Sequence, residues 1–214
     1  MLELWGRSNA YNVQKVLWML AELKLDYRHY EVGGNAGELE TDDFLALNTH
    51  ARIPTIRDTG NVVWESNTIL RYLAASYGGA ALWPQEPLSR SLAERWMDWE
   101  LCKLQPDFID LFWGFYRTPA AARDASAIEA AARRCAAHFE LLDRHLQSQP
   151  YLAGDDFSLG DISCAVCLYR YFEMGFAVPR PRYLMQWYRR LCRRDAYRKV
   201  VMTAFSELEG RLEF

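Results

Sequence analysis

The stretch from Ile53 to Leu70, I-P-T-I-R-D-T-G-N-V-V-W-E-S-N-T-I-L, decides how the first part of this chain folds. A proline donates no ladder hydrogen bond, so Pro54 belongs at a strand's first residue, at an edge or in a cis turn, and each of these leaves the backbone of Ile53 available. Asp58-Thr59-Gly60-Asn61 is a turn that joins Ile56 to Val62-Val63-Trp64 as a hairpin. Ser66 follows directly as the N-cap candidate of a helix running through Leu70, Tyr72 and Leu73. A helix start offers N–H groups to an anion, and an exposed strand backbone can pair with an extended peptide. The segment therefore reads in one of two ways. It is an ordinary hairpin and capped helix, or it is a site for a small, extended, carboxylate-bearing peptide that pairs with Ile53 and is gripped at the Ser66 end.

Working outward, Leu2 to Trp5 is a short apolar strand, and Val13, Val16, Leu17, Leu20 and Leu23 follow the spacing of an amphipathic helix. Asp26 to Val32 reads as a second strand, Gly33 to Gly37 as a mobile loop by composition, and Thr41 as the cap of a short helix that stops near Asn48. The order is β-α-β-α-β-β-α, ended by Gly78-Gly79. The prolines in A-A-L-W-P-Q-E-P-L, residues 80–88, mark a linker. Beyond it the period is helical throughout. One long helix is expected from Ser89 to Arg117, kinked after Gln105-Pro106, with others over 125–147, 159–174 and 182–193 and a short one after Asp195. This predicts an α/β segment over 1–79, a linker over 80–88 and an all-α helical bundle over 89–214. In F-S-L-G-D-I, residues 157–162, Ser158 and Asp161 form a capping box, and Phe157 is placed to staple to Ile162.

Composition excludes several functional classes. With 214 residues, half of them hydrophobic and 14% aromatic, the chain has the makings of an ordered globular core. A formal charge of −3 gives no electrostatic reason to expect nucleic acid. The arginines between Arg180 and Lys199 alternate with Tyr183, Leu184, Trp187, Tyr188, Leu191 and Tyr197, which makes them the wet face of packed helices. No apolar run is long enough for a membrane span and the Met1-Leu2-Glu3 start is not that of a signal peptide, so a cytoplasmic protein is expected. All five cysteines follow residue 100 and their number is odd, which favours free thiols over a disulfide scaffold. Cys164 and Cys167 lie inside an apolar helical pattern without a second ligand pair, so core packing outranks metal or redox chemistry there. No metal is expected.

The α/β segment with I-P and E-S, the linker and the helical segment with F-S-L-G-D-I together resemble a bacterial cytosolic glutathione transferase of the serine- or asparagine-type, theta- or nu-like branch. W-G-R-S-N-A-Y-N-V-Q-K-V-L-W (5–18) is similar to that branch's first strand and helix, W-E-S-N-T-I-L-R-Y-L (64–73) to its γ-glutamyl site, and P-Y-L-A-G-D-D-F-S-L-G-D-I (150–162) to its capping motif. The resemblance implies a thioredoxin-like N-terminal domain that binds glutathione as co-substrate, a helical domain that receives a small hydrophobic molecule, and a homodimer. The dimer's contacts would include the helix from Ser66 to Tyr77 and the helix that carries Trp96 and Trp99. The α/β segment contains no cysteine, so any thiol chemistry there must use a thiol brought by a ligand.

Carried over residue by residue, the resemblance assigns Glu65 and Ser66 to the γ-glutamyl end and the backbone of Ile53, before Pro54, to the cysteinyl portion. Arg52 or His50 would meet the glycyl carboxylate. Where the branch carries its activating serine this chain has Ala10, and N-T-H-A-R-I-P (48–54) departs from the usual N-P-x-G-x-V-P at Thr49 and Ala51. The catalytic candidates are then Asn12, through a hydrogen bond to the thiolate, and the hydroxyls of Ser8 and Tyr11. A charge-assisted hydrogen bond of about 1.5–3 kcal/mol and a helix start worth about 0.3–1 kcal/mol lower a thiol near pKa ~8.5 by roughly 1–3 units. Tyr11, Trp113, Tyr116, Tyr169 and Phe172 are the candidates for the co-substrate pocket. Three readings follow: a glutathione transferase, a glutathione-dependent disulfide reductase, and a non-catalytic glutathione- or ligand-binding scaffold.

Overall fold

The computed structural model describes residues 1–212, so the last two residues of the helical segment expected over 89–214 lie outside the described residues. The chain divides into two compact units, Met1–Trp83 and Pro84–Leu212. The first is a four-stranded mixed sheet with helices. Its elements run β1 (Leu2–Trp5), α1 (Tyr11–Leu23), β2 (Tyr27–Tyr30), α2 (Asp42–Leu47), β3 (Thr55–Asp58), β4 (Asn61–Trp64) and α3 (Ser66–Tyr77), followed by a short α4 (Gly79–Leu82). The strand order is β2-β1-β3-β4, with β1 parallel to β2 and antiparallel to β3. Side chains alternate across the sheet. Leu4 and Ile56, register partners, are fully buried, while Trp5 on the opposite face joins Val32 and Phe44 in a second cluster.

Several expectations change here. The second strand is Tyr27–Tyr30 rather than 26–32, because its partner β1 offers only Leu2 to Trp5 for pairing. The glycine-rich segment is not an open loop: a single turn at Gly34–Ala36 is closed by Gly33 N–H donating to the Gly37 carbonyl at 2.7 Å. Pro54 follows a cis peptide bond and precedes the ladder, which starts at Thr55. Ser66 is not the N-cap of α3. That position belongs to Glu65, held at φ 69°, and Ser66 is the first helical residue. Gly78 ends α3, yet α4 follows at once, so part of the stretch read as a linker is helical.

The second unit is entirely helical. Its first helix, α5 (Pro87–Trp99), starts two residues earlier than the pattern suggests, because the Glu86 carboxylate accepts the N–H groups of Leu88 and Ser89 and Pro87 needs no partner at the first position. Helical backbone continues through a π segment at Glu100–Leu104, α6 (Gln105–Leu111) and a second π segment at Phe112–Arg117. The irregularity expected after Pro106 thus takes the form of a widened turn ahead of it, where a proline's missing N–H is absorbed. Next come α7 (Ala125–His145), α8 (Leu159–Ala165), α9 (Leu168–Glu173), α10 (Arg182–Leu191) and α11 (Asp195–Val200). The helix read over 159–174 is therefore two, broken at Val166 and Cys167.

The capping box forms as written. The Ser158 N–H and hydroxyl both donate to Asp161, and Leu152 N–H and Trp187 Nε1–H donate to the same carboxylate. Phe157, read as a staple to Ile162, meets Tyr151 and lies under Arg194. Cys164 and Cys167 are buried, their thiols donating to the carbonyls of Trp96 and Cys164, and all five cysteines are free thiols. Arg180 and Arg190 do more than wet a face, since they donate to the carbonyls of Phe172 and Pro150. Among the described residues no helix is long and apolar enough to cross a membrane.

Candidate functional site

Three backbone segments of the first unit converge at the end of β1. Gly6 leaves the strand at φ 148°, and a Cβ there would stand 2.5 Å from Val13 Cγ2 and 3.3 Å from Ile53 Cβ. Only a residue without a side chain lets the start of α1 and the Ile53 loop approach the strand end so closely. Helix α1 begins after Ala10, an extended residue that makes no side-chain cap, so its first turn carries no acidic or hydroxyl partner from the cap position.

Asn12 stands in that first turn. Its Oδ1 accepts the Ser66 hydroxyl at 3.2 Å, which ties the start of α1 to the start of α3 across 54 residues of sequence. With Oδ1 so engaged, the amide presents Nδ2, a donor, in another direction. Ser66 is 4% exposed, so its hydroxyl is spent on this bond rather than on solvent. Glu65 is exposed and sits at φ 69°, ψ 119° with no side-chain cap. A non-glycine residue in that region carries a strain of order 1–3 kcal/mol, a cost that structures keep mostly where function needs it.

The loop before Pro54 is organised by a residue the sequence reading passed over. Asn48, 2% exposed, donates to the Arg52 carbonyl at 2.9 Å and to Thr55 Oγ1 at 3.1 Å, while its Oδ1 accepts the His50 N–H at 3.0 Å. These bonds carry the chain through Ala51 at φ 51°, where the usual loop has glycine. They leave Arg52 exposed and set the His50 ring 5.0 Å from Trp64. Ser8 is exposed, and Tyr11 is half-buried with Lys15 Nζ 5.0 Å from its ring centroid. The structure thus brings Asn12 together with Ser66, and Ile53 together with the start of α1.

The aromatic candidates of the helical unit do not form one group. Tyr116 stacks on Phe112 at 5.2 Å and meets Phe205 at 4.9 Å, and Tyr169 reaches the same Phe205 edge-on at 5.9 Å. Phe205 has no periodic signal in the sequence because it follows the last α-helix. Phe172 is buried against Tyr171 and Tyr188 under Arg180. Trp113, 38% exposed, lies under Arg117 and borders a separate cleft of about 430 Å³ with Asp110, Ile128 and Arg134. The π segment at Phe112–Arg117 contributes to this dispersal, since a widened turn rotates the following residues off the 3.6-residue period.

Comparison with known proteins agrees with the fold. The domain families "Glutathione S-transferase, N-terminal domain" and "Glutathione S-transferase, C-terminal domain" match residues 12–76 and 125–190. The chain is 43% identical to glutathione S-transferase GstB of Escherichia coli over 96% of its own length and the whole of that protein. It is 31% identical to glutathione S-transferase 3 of Zea mays over 94% of its length and 93% of that protein. Among solved structures, the theta class glutathione S-transferase from Xanthomonas axonopodis pv. citri with glutathione bound superposes with a TM-score of 0.91 at 44% identity, covering 95% of this chain and 98% of that one. This chain belongs to the glutathione S-transferase family.

Proposed function

We propose that the chain is a glutathione transferase in which Asn12, rather than a serine hydroxyl, stabilises the thiolate of bound glutathione. The observation that carries this reading is the Ser66–Asn12 hydrogen bond, which engages the amide oxygen, so that Nδ2 is the group with which Asn12 would meet a thiolate. In the proposed complex the γ-glutamyl end lies at Glu65 and Ser66, whose carboxylate and helix start suit an ammonium and a carboxylate respectively. The cysteinyl portion pairs with the backbone of Ile53, ahead of the β3 ladder. Arg52 or His50 meets the glycyl carboxylate, a role for which a guanidinium is well shaped.

Ionisation releases the thiol proton to solvent, and the sulfur lone pair attacks an electrophilic carbon of a small hydrophobic molecule. A carbon–sulfur bond forms as the bond to the leaving group breaks. Within the helical unit, Tyr116 and Tyr169 around Phe205 are the aromatic surface proposed for that molecule; Trp113 and Phe172 rank behind them because one borders a separate cleft and the other is buried. The functional form is proposed to be a homodimer in the cytoplasm, with no metal taking part. Trp96 and Trp99 already pack on His145 and His138 of their own unit, so the α3 surface, where Tyr77 is 43% exposed, is the stronger part of that proposal.

The test assays purified protein with glutathione and a chloronitroaromatic, and in parallel with glutathione and a small dialkyl disulfide. Conjugation with the aromatic, raised further by Ala10→Ser, is the expected result. Turnover of the disulfide alone would make the protein a reductase.

A further inference from the structure

The turn between β1 and α1 is fastened on its outer side by β2. The β1–β2 ladder ends at the pair Trp5 and Tyr30. Beyond that last rung, Gly6 N–H donates to the Tyr30 carbonyl at 3.0 Å. His29 Nε2 lies 2.7 Å from the Gly6 carbonyl and, because a carbonyl only accepts, carries the proton of that bond. Ser8 N–H lies 3.2 Å from each carboxylate oxygen of Glu31. The Glu31 side chain is 53% exposed and Ser8 is exposed, so solvent could satisfy both groups and burial does not force them together.

What this clasp holds is the strand end at which the start of α1 and Ile53 meet. From Ser8 the chain passes to Asn12 through one tight turn, in which Ala10 N–H donates to the Arg7 carbonyl at 3.0 Å and Gln14 N–H to the Ala10 carbonyl at 2.9 Å. A shift of Ser8 is therefore transmitted to the first turn of α1.

We infer that Glu31 is a positioning residue for the transferase reaction: by holding Ser8 N–H, with His29 holding Gly6, it fixes where the first turn of α1 presents Asn12 beside Ile53. The inference rests on the thiolate role proposed for Asn12. Glu31 also acts through its charge, and the two effects oppose each other. A fixed amide donor lowers the pKa of a bound thiol, whereas a nearby carboxylate raises it. Arg7, whose guanidinium burial pulls down and Glu31 holds up, and His29, 3.9 Å from Glu31, are the other charged or titratable groups at the clasp.

Three variants of the full chain separate position from charge. Glu31→Leu removes acceptor and charge, Glu31→Gln keeps an acceptor without the charge, and Glu31→Asp keeps the charge on a shorter reach. The thiolate absorbance of bound glutathione is titrated for each, and the Ser8 amide resonance is followed without ligand. Positioning predicts that Leu and Asp raise the thiol pKa by roughly half a unit to one unit, with kcat lowered about 3- to 10-fold and the Ser8 amide displaced, while Gln lowers the pKa. A lowered pKa in both Leu and Gln, or a Leu titration identical to wild type, overturns the inference. If wild type itself shows no thiol more acidic than that of glutathione in water, the Asn12 reading fails and the inference falls with it.

Discussion

In the helical unit, α7, α8 and α10 begin on acceptors that take their first N–H groups: Asp124 accepts from Ala127, Ser158 and Asp161 form their box, and Asp143 reaches over from α7 to accept from Tyr183 and Leu184. In the sheet unit α1 and α3 begin on Ala10 and Glu65, neither of which makes a side-chain cap. Side chains thus cap the first backbone donors of α7, α8 and α10, whereas the cap residues of α1 and α3 supply no such acceptor. Closed starts serve stability, and the starts of α1 and α3 are where we propose that glutathione is received.

The contrast is broken most directly at Asp161. Its carboxylate takes donors from Ser158, Leu152 and Trp187, and burial pushes the acid's pKa up while those bonds oppose the rise. Asp161→Ala orphans these donors and is expected to cost about 3–5 kcal/mol of stability, read from a denaturant midpoint, with glutathione affinity unchanged in the protein that remains folded. Ser66→Ala is the counterpart. It is expected to weaken glutathione binding by about 1–2 kcal/mol by calorimetry and, since Asn12 loses its anchor, to raise the bound thiol's pKa as well. Unchanged affinity would mean that the Glu65-Ser66 pair is only a helix start.

Glu65→Gly sharpens the comparison by moving stability and function in opposite directions. Relief of the φ 69° backbone raises stability by about 1 kcal/mol, and loss of the carboxylate weakens glutathione binding. Equal affinity in that variant would count against the γ-glutamyl role. The smallest effect is at Glu86, whose pKa is held down by the Leu88 and Ser89 N–H groups it caps. A carboxyl with a lowered folded-state pKa contributes stability that is complete above its unfolded value near ~4.3 and is lost as pH falls through the folded value. Glu86→Gln should therefore lower the melting temperature slightly at neutral pH, and the difference should shrink as pH falls through the folded-state value.

The sequence made the closed starts readable and the open ones only partly so. S-x-x-D before an apolar run, and Thr41 ahead of α2, are local codes, and both caps appear as written. Ser66 obeys the same local code, yet Glu65 takes the cap position at a positive φ that no nearest-neighbour pattern specifies. The Ser66–Asn12 bond spans 54 residues and could not be read from either segment alone. Periodicity located the helical unit but failed inside it at Glu100–Leu104 and Phe112–Arg117, because a π turn changes the period that the reading assumes. Asn48, buried and bonded in both directions, was hidden because a single asparagine before a proline loop looks like any turn residue.

The account turns on whether Asn12 donates to a thiolate. Titrating the ultraviolet absorbance of bound glutathione against pH in wild type and Asn12→Ala measures this directly. Loss of a charge-assisted bond of about 1.5–3 kcal/mol should raise the thiol's pKa by about 1–2 units. The melting temperature should fall as well, because the buried Ser66 hydroxyl loses its acceptor, so the titration is what decides. An unmoved titration together with a lowered melting temperature would show that Asn12 serves the helix alone and would contradict the proposed site.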